Sequence, residues 1–186
     1  MQDQAKLGAA EPLHREALAG KRRELGDAHP STLASIHNLA GLRNAQGKLG
    51  AAETLFRDAL AGKRRALGDA HPDTLTSIGN LAGLLQAQGK LGAAEPLLCE
   101  ALAGQRRALG DAHPDTLTSI NNLASLLRAQ GKLEAAEPLY REALVGFRGA
   151  LGPAHPNTVT CAKNLAHLLT ARGKHREAAA LLRATK

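Results

Sequence analysis

Apolar residues along this chain return in two alternating helical stripes, each closed by a glycine. In the stretch 113–154 the first stripe comprises Leu117, Ile120, Leu123, Ala124 and Leu127, the i, i+3, i+4 spacing of an amphipathic helix. His113-Pro114-Asp115-Thr116 opens it: proline suits a first helical position because its missing N–H would have no partner there, and Asp115 favours the positive helix end. Gly131, with Lys132 beside it, is the stop signal. The second stripe predicts a helix from about Leu133 to Leu151 with Leu133, Ala136, Tyr140, Ala143, Leu144 and Phe147 on one face. Gly152 ends it, as Gly26, Gly68 and Gly110 end its counterparts. Pro12, Pro96 and Pro138 fall early in helices of the second type and are expected to loosen their first turns, while Thr54 takes that place in the remaining full unit. Gly20, Gly62, Gly104 and Gly146 recur inside the same helices, each at a cost of about 1 kcal/mol of helix propensity. Their register points to close helix approach, or to a duplication that was merely inherited.

The two stripes belong to a repeat. Ala-His-Pro returns with its histidine at His29, His71, His113 and His155, each 42 residues after the last. Segments 29–70 and 71–112 agree at 32 of 42 positions, and 71–112 and 113–154 agree at 32 again. The segment before His29 matches the second half of a unit. The expected organisation is one array over 1–186: a half repeat 1–28, repeats 29–70, 71–112 and 113–154, and a shortened terminal repeat 155–186. Neither helix of a pair buries its stripe alone, so units must stack. The fold class expected is all-α, a right-handed superhelix of about four and a half helix pairs. The half repeat leaves Leu7, Ala10 and Leu13 uncovered, which points to a longer array or to self-association through that face.

Composition agrees with helices: Ala, Leu, Glu, Arg and Lys abound, while Trp is absent, Tyr occurs once and Phe twice. The net charge of +7 permits an acidic partner without demanding one. No apolar run approaches the ~20 residues of a membrane span, and the opening residues lack a signal-peptide stretch. Two cysteines, Cys99 and Cys161, are too few for a disulfide framework, so a reducing, cytoplasmic setting is expected.

Candidate chemistries narrow quickly. His29, His71, His113 and His155 occupy equivalent places in successive units, roughly 10 Å or more apart, and cannot converge on one metal ion. A capping or turn role fits them better. The basic triplets Lys21-Arg22-Arg23 and Lys63-Arg64-Arg65, eroded to Gln105-Arg106-Arg107, could form a stripe for acidic protein or nucleic acid. Aromatic platforms for bases are lacking, since Phe56, Tyr140 and Phe147 fall mostly at core spacing. Glu11, Glu53, Glu95 and Glu137 recur too, with Arg15, Arg57 and Arg141 four residues on, the pattern of a solvated, ion-paired outer face. There is no phosphate-cradling loop, nucleophile motif or ligand cluster, so no catalytic residue, metal or cofactor is expected. Cys99 and Cys161 read as incidental substitutions for an arginine and a serine.

The pattern Asn-Leu-Ala-x-Leu-x-x-x-Gln-Gly-Lys-Leu-x-x-Ala-Glu-Pro-Leu-x-x-x-Ala-Leu, then Leu-Gly-x-x-His-Pro-x-Thr, resembles the 42-residue tetratricopeptide repeat of kinesin light chains. It stands best from Asn122 through Leu144 and again at Leu151-Gly152 and His155-Pro156-Asn157-Thr158. The resemblance implies a concave face, lined by the first helix of each pair, that holds a peptide or protein segment. The residues it carries over are Asn38, Asn80, Asn122 and Asn164, which in related repeats meet ligand backbone or a terminal carboxylate; an amide offers both a donor and an acceptor. The same amides could equally serve the adjacent helix. Neighbours on that face are His37, Gly79, Asn121 and Lys163, then Gly41, Gly83, Ser125 and His167, then Asn44, Gln86, Arg128 and Thr170. These differ between units while core positions barely change. The expected role is an interaction scaffold, with a purely structural segment or the sensor array of a larger protein as alternatives.

Overall fold

The computed structural model describes residues 2–184, and all regular structure among them is helical. The order is α1 (Gln2–Leu25), α2 (Pro30–Ala45), α3 (Leu49–Leu67), α4 (Pro72–Ala87), α5 (Leu91–Leu109), α6 (Pro114–Ala129), α7 (Leu133–Leu151), α8 (Pro156–Ala171) and α9 (His175–Arg183). The chain divides into two compact units, Met1–Lys90 and Leu91–Lys186.

The Ala-His-Pro signal opens every first-type helix. His29, His71, His113 and His155 are N-caps with extended backbone, and Nδ1 of each accepts the backbone N–H two residues on at 3.1–3.2 Å. Imidazole here does what Ser or Asp does at most caps, satisfying an amide the helix cannot. Gly131 (φ 78°) closes α6: its N–H bonds Arg128 O at 3.0 Å and the Lys132 N–H bonds Leu127 O at 2.9 Å. That left-handed glycine reverses the chain and starts α7 within two residues. The prolines do not break their helices. α1, α5 and α7 run on through Pro12, Pro96 and Pro138.

In the first unit α1 packs on α2, α2 on α3 and α3 on α4. Leu18, Leu33, Ile36, Leu39 and Ala59 form its buried cluster, with Leu42 and Leu55 against it. In the second unit α5 packs on α6, α6 on α7, α7 on α8 and α8 on α9. Tyr140, Phe147, Leu117, Ile120 and Leu165 are all but fully buried there. Gly62 and Gly146 mark close approach within a pair. A Cβ on Gly62 would collide with the Leu33 side chain, and one on Gly146 with Leu117. Gly20, in the half repeat, faces open space.

Candidate functional site

Every candidate recognition residue lies on a first-type helix, away from its buried stripe. In the first unit His37 is half-buried and Asn38 exposed on α2, while Asn80 is exposed and Gln86 half-buried on α4. In the second unit Asn121, Asn122, Ser125 and Arg128 are half-buried on α6; on α8 Lys163 and His167 are exposed and Asn164 is half-buried.

Two of the asparagines are spoken for by the neighbouring repeat. Asn80 Nδ2 lies 2.8 Å from His37 Nε2, and Asn164 Nδ2 donates to Asn121 Oδ1 at 3.2 Å. In both cases the residue just before one repeat's asparagine supplies the partner for the asparagine of the next repeat. His37 is held on its other side by Ser77 Oγ at 3.4 Å and by the edge of Phe56, ring centroids 5.0 Å apart. Ser77 Oγ also accepts from Lys63 Nζ at 2.9 Å. Burial, reinforced by the Lys63 charge and only partly opposed by Asp73, lowers the His37 pKa to about 4. A neutral ring accepting from Asn80 at Nε2 and donating from Nδ1 to Ser77 fits all four groups.

The recurring glutamates correct the sequence reading. They do not form a solvated outer face; each is gripped by the turn of the following repeat. Glu11 accepts from Arg43 at 3.2 Å and Lys48 at 2.8 Å, and Glu53 from Lys90 at 2.8 Å. Glu95 accepts from Gln130 at 2.8 Å and pairs with Lys132 at 3.1 Å. Glu137 is met by Lys174 at 2.9 Å, Arg141 at 2.8 Å and Arg172. The i, i+4 pairs do form at Glu53–Arg57, 2.7 Å, and at Glu137–Arg141, but Glu53 and Glu137 are buried. The Lys48 hydrogen bond, outweighing burial and aided by Gln46, holds the Glu11 carboxyl down at about 2. Burial opposes the charge on Glu137, yet its bonds from Lys174 and Arg141 prevail and bring it to about 2 as well. Sequence spacing showed the i, i+4 partner only; the stronger partners lie 32–37 residues away and required the stacked helices.

The basic triplets also divide. Lys63 is buried, and Lys21 Nζ donates to Ser35 Oγ at 2.8 Å as Lys63 does to Ser77. At the same register Gln105 and Ser119 are both buried, and then Phe147 and Cys161. The lysine–serine register is apolar in the last repeat, where Cys161 is a buried packing residue whose Sγ donates to Tyr140 O at 3.6 Å. Its thiol is pushed up to about 12 by burial, the opposite of an activated nucleophile. The arginines remain outside, as Arg22–Asp27 at 2.8 Å, Arg64–Asp69 at 3.1 Å and Arg106–Asp111 at 3.0 Å.

Among the described residues no three His, Cys, Asp or Glu side chains gather as metal ligands, and no helix is long and apolar enough to cross a membrane. Within each unit the first-type helices carry polar and charged side chains off their buried stripes, and these differ from repeat to repeat.

The sequence pattern of the Tetratricopeptide repeat family matches residues 1–65, 32–107, 73–145 and 115–185. No curated protein matches by sequence. Among solved structures, the chain is similar to a putative kinesin light chain of Podosopora anserina with nearly identical TPR-like repeats: 30% identity, 99% of this chain and 87% of that one, TM-score 0.82. It is also similar to BtubC (BKLC) from P. vanneervenii, at 25% identity over 99% of this chain and 73% of that one, TM-score 0.85. A Rap protein crystallised with Competence and Sporulation Factor shares the fold at 17% identity over 96% of this chain and 48% of that one, TM-score 0.78. With the family pattern spanning essentially every residue and similar solved folds built on the same unit, the chain belongs to the tetratricopeptide repeat family, as an all-α solenoid of the kinesin light chain type.

Proposed function

We propose that this chain is a non-catalytic interaction scaffold that holds a segment of a partner protein along its first-type helices. The observation that carries the reading is where variation falls: buried positions repeat almost unchanged, whereas His37, Gly79, Asn121 and Lys163 differ completely at one register. A scaffold that preserves its core and diversifies one face has room for specificity on that face alone. Asn38, Asn80, Asn122 and Asn164 supply amides along it. The bonds to Asn80 and Asn164 orient their side chains, leaving a carbonyl oxygen suited to a peptide N–H.

In the second unit this face favours an acidic segment. Lys163 and His167 project from α8, which contains no Asp or Glu, and Arg128 stands on α6, where Asp115 at the start is the one carboxylate. An array of immobilised extended peptides, acidic, neutral and basic, tests the reading with the full chain. The Lys163→Glu, Arg128→Glu variant should lose acidic peptides, while Arg65→Glu on the exposed side of α3 should keep them. Unchanged peptide selection by the first variant would refute the assignment.

A further inference from the structure

The register that varies completely, His37 on α2, Gly79 on α4, Asn121 on α6 and Lys163 on α8, stands immediately before an asparagine of its own repeat. Its contacts go to the asparagine of the next repeat. His37 Nε2 meets Asn80 Nδ2 at 2.8 Å in the first unit, and Asn121 Oδ1 meets Asn164 Nδ2 at 3.2 Å in the second. Both groups are acceptors, and both take the NH2 end of the amide. A primary amide carries its oxygen and its nitrogen on two arms of one plane, so holding the nitrogen against the neighbour turns the oxygen away from it. Gly79 has no side-chain group to offer at this register, and Lys163 has donors only.

In the first unit the choice of end is set from behind the ring. Ser77, buried on α4, accepts from Lys63 Nζ at 2.9 Å, and the same Nζ reaches Asp73 O at 3.4 Å. An ammonium only donates, so it occupies one lone pair of Ser77 Oγ; His37 Nδ1 stands 3.4 Å from that oxygen. A proton on Nδ1 fills the second lone pair and leaves Nε2 bare towards Asn80. Phe56 stands edge-on to the ring, centroids 5.0 Å apart. In the second unit no tautomer is involved, because Asn121 presents an oxygen directly.

We infer that the residue before each asparagine is a specificity determinant that sets which end of the next repeat's amide faces outward, and that Asn80 and Asn164 therefore take a backbone N–H of an internal peptide segment and turn away a terminal carboxylate. This rests on the first-type helices being the recognition face. An outward carbonyl oxygen accepts and cannot donate, so an N–H pairs with it. A carboxylate would set acceptor against acceptor with no hydrogen between them. The two ligand features that an asparagine serves equally well when its amide is free to turn are thereby separated. Lys163 and Arg128 meet acidic side chains of such a segment, while Asn164 holds its backbone.

Side-chain NMR on the full chain tests the orientation without a ligand. The NH2 protons of Asn80 should show cross-peaks to the His37 ring, those of Asn164 to the Asn121 side chain, and the His37 proton should sit on Nδ1. Ser77→Ala should move that proton to Nε2 and turn the Asn80 amide over, an effect that loss of packing alone would not produce. Asn121→Asp keeps an acceptor and should leave Asn164 as it is. Asn121→Lys, which installs the side chain this register already carries at Lys163, should turn it. A wild-type ring protonated on Nε2, or an Asn164 amide unmoved by Asn121→Lys, would overturn the inference. Neutral, end-blocked extended peptides that bind on the array then test the ligand. N-methylation of the backbone nitrogen that meets Asn164 should weaken binding roughly ten-fold, and Asn121→Lys should erase that penalty at this position alone. Tighter binding of the same peptide when it ends there in a free carboxylate would overturn the inference while leaving the scaffold reading intact. Binding of no peptide at all, with both amides oriented as stated, would sink the scaffold reading and the ligand half of the inference, and leave the orienting role of His37 and Asn121 standing.

Discussion

Replacing Gly62 with alanine asks whether the in-register glycines are contacts or leftovers. Alanine gains about 1 kcal/mol of helix propensity at an unconstrained interior position. At Gly20 nothing lies within 4 Å, so Gly20→Ala should stabilise by up to that amount. At Gly62 the new Cβ would strike Leu33, with its Cδ1 and Cγ at 3.2 and 3.3 Å as well as the nearer Cδ2. The whole isopropyl group must therefore move, and Leu33, 2% exposed, is held in the buried cluster of the first unit. Overpacking of this kind costs about 1–3 kcal/mol, which cancels or exceeds the propensity gain. Gly62→Ala should thus lose up to roughly 2 kcal/mol and fall about 1–3 kcal/mol below Gly20→Ala. Urea unfolding at low concentration, with midpoint and slope compared between variants, reads the difference. A Leu33→Ala background supplies the control: with the collision removed, Gly62→Ala should turn stabilising. Equal stabilisation by Gly20→Ala and Gly62→Ala would refute the close-approach reasoning and leave duplication as the account of these glycines.

Two pH windows follow from the inter-repeat contacts. His37 has a folded pKa near 4 against 6.5 for the free residue, so between those values the unfolded chain binds a proton that the folded chain refuses. Stability should fall as pH drops through that range, and His37→Asn, which installs the side chain present at Asn121, should flatten it in acid-dependent urea curves. Glu11 and Glu137 titrate near 2 in the fold against 4.5 free, so their contribution is complete above about pH 5 and disappears as pH falls towards 2. The stability gap between wild type and Glu137→Gln should close over that interval. Tyr140 is fully buried with its hydroxyl unpartnered among the described residues, and Phe56 fills the same register in α3. Tyr140→Phe should be neutral or stabilising by about 1 kcal/mol in the same assay, and a loss would reveal a partner for that hydroxyl.

The helices were readable because their determinants are local. His-Pro-x-Thr sets a cap and a first turn within four residues, and Gly131 closes α6 through bonds no longer than six residues. The 42-residue period then repeats these instructions, and of the α7 stripe named from spacing Ala136, Tyr140, Ala143, Leu144 and Phe147 are buried while Leu133, at the first turn, is half-buried. The candidate face was legible in outline for the same reason: residues excluded from a helix's stripe must lie on its other side.

Partners across repeats were not legible. Glu137 looks like one half of an i, i+4 surface pair until Lys174 and Arg172 arrive from the next turn, and Lys63 looks like one of three exposed bases until α4 brings Ser77 over it. Phe147 and Cys161 seem unrelated, 14 residues apart on different helices, until they prove to fill the position that Lys63 and Ser77 fill as a polar pair. The amides of Asn80 and Asn164 could have faced either a ligand or a neighbour, and His37 and Asn121 claim one end of each. Sequence alone determined which segments are helical, where they begin and end, and which side of each is buried, because those depend on residues within one or two turns. Which polar groups are paired, which glycines are contacts and which faces stay open depended on distances between helices, and only stacking sets those.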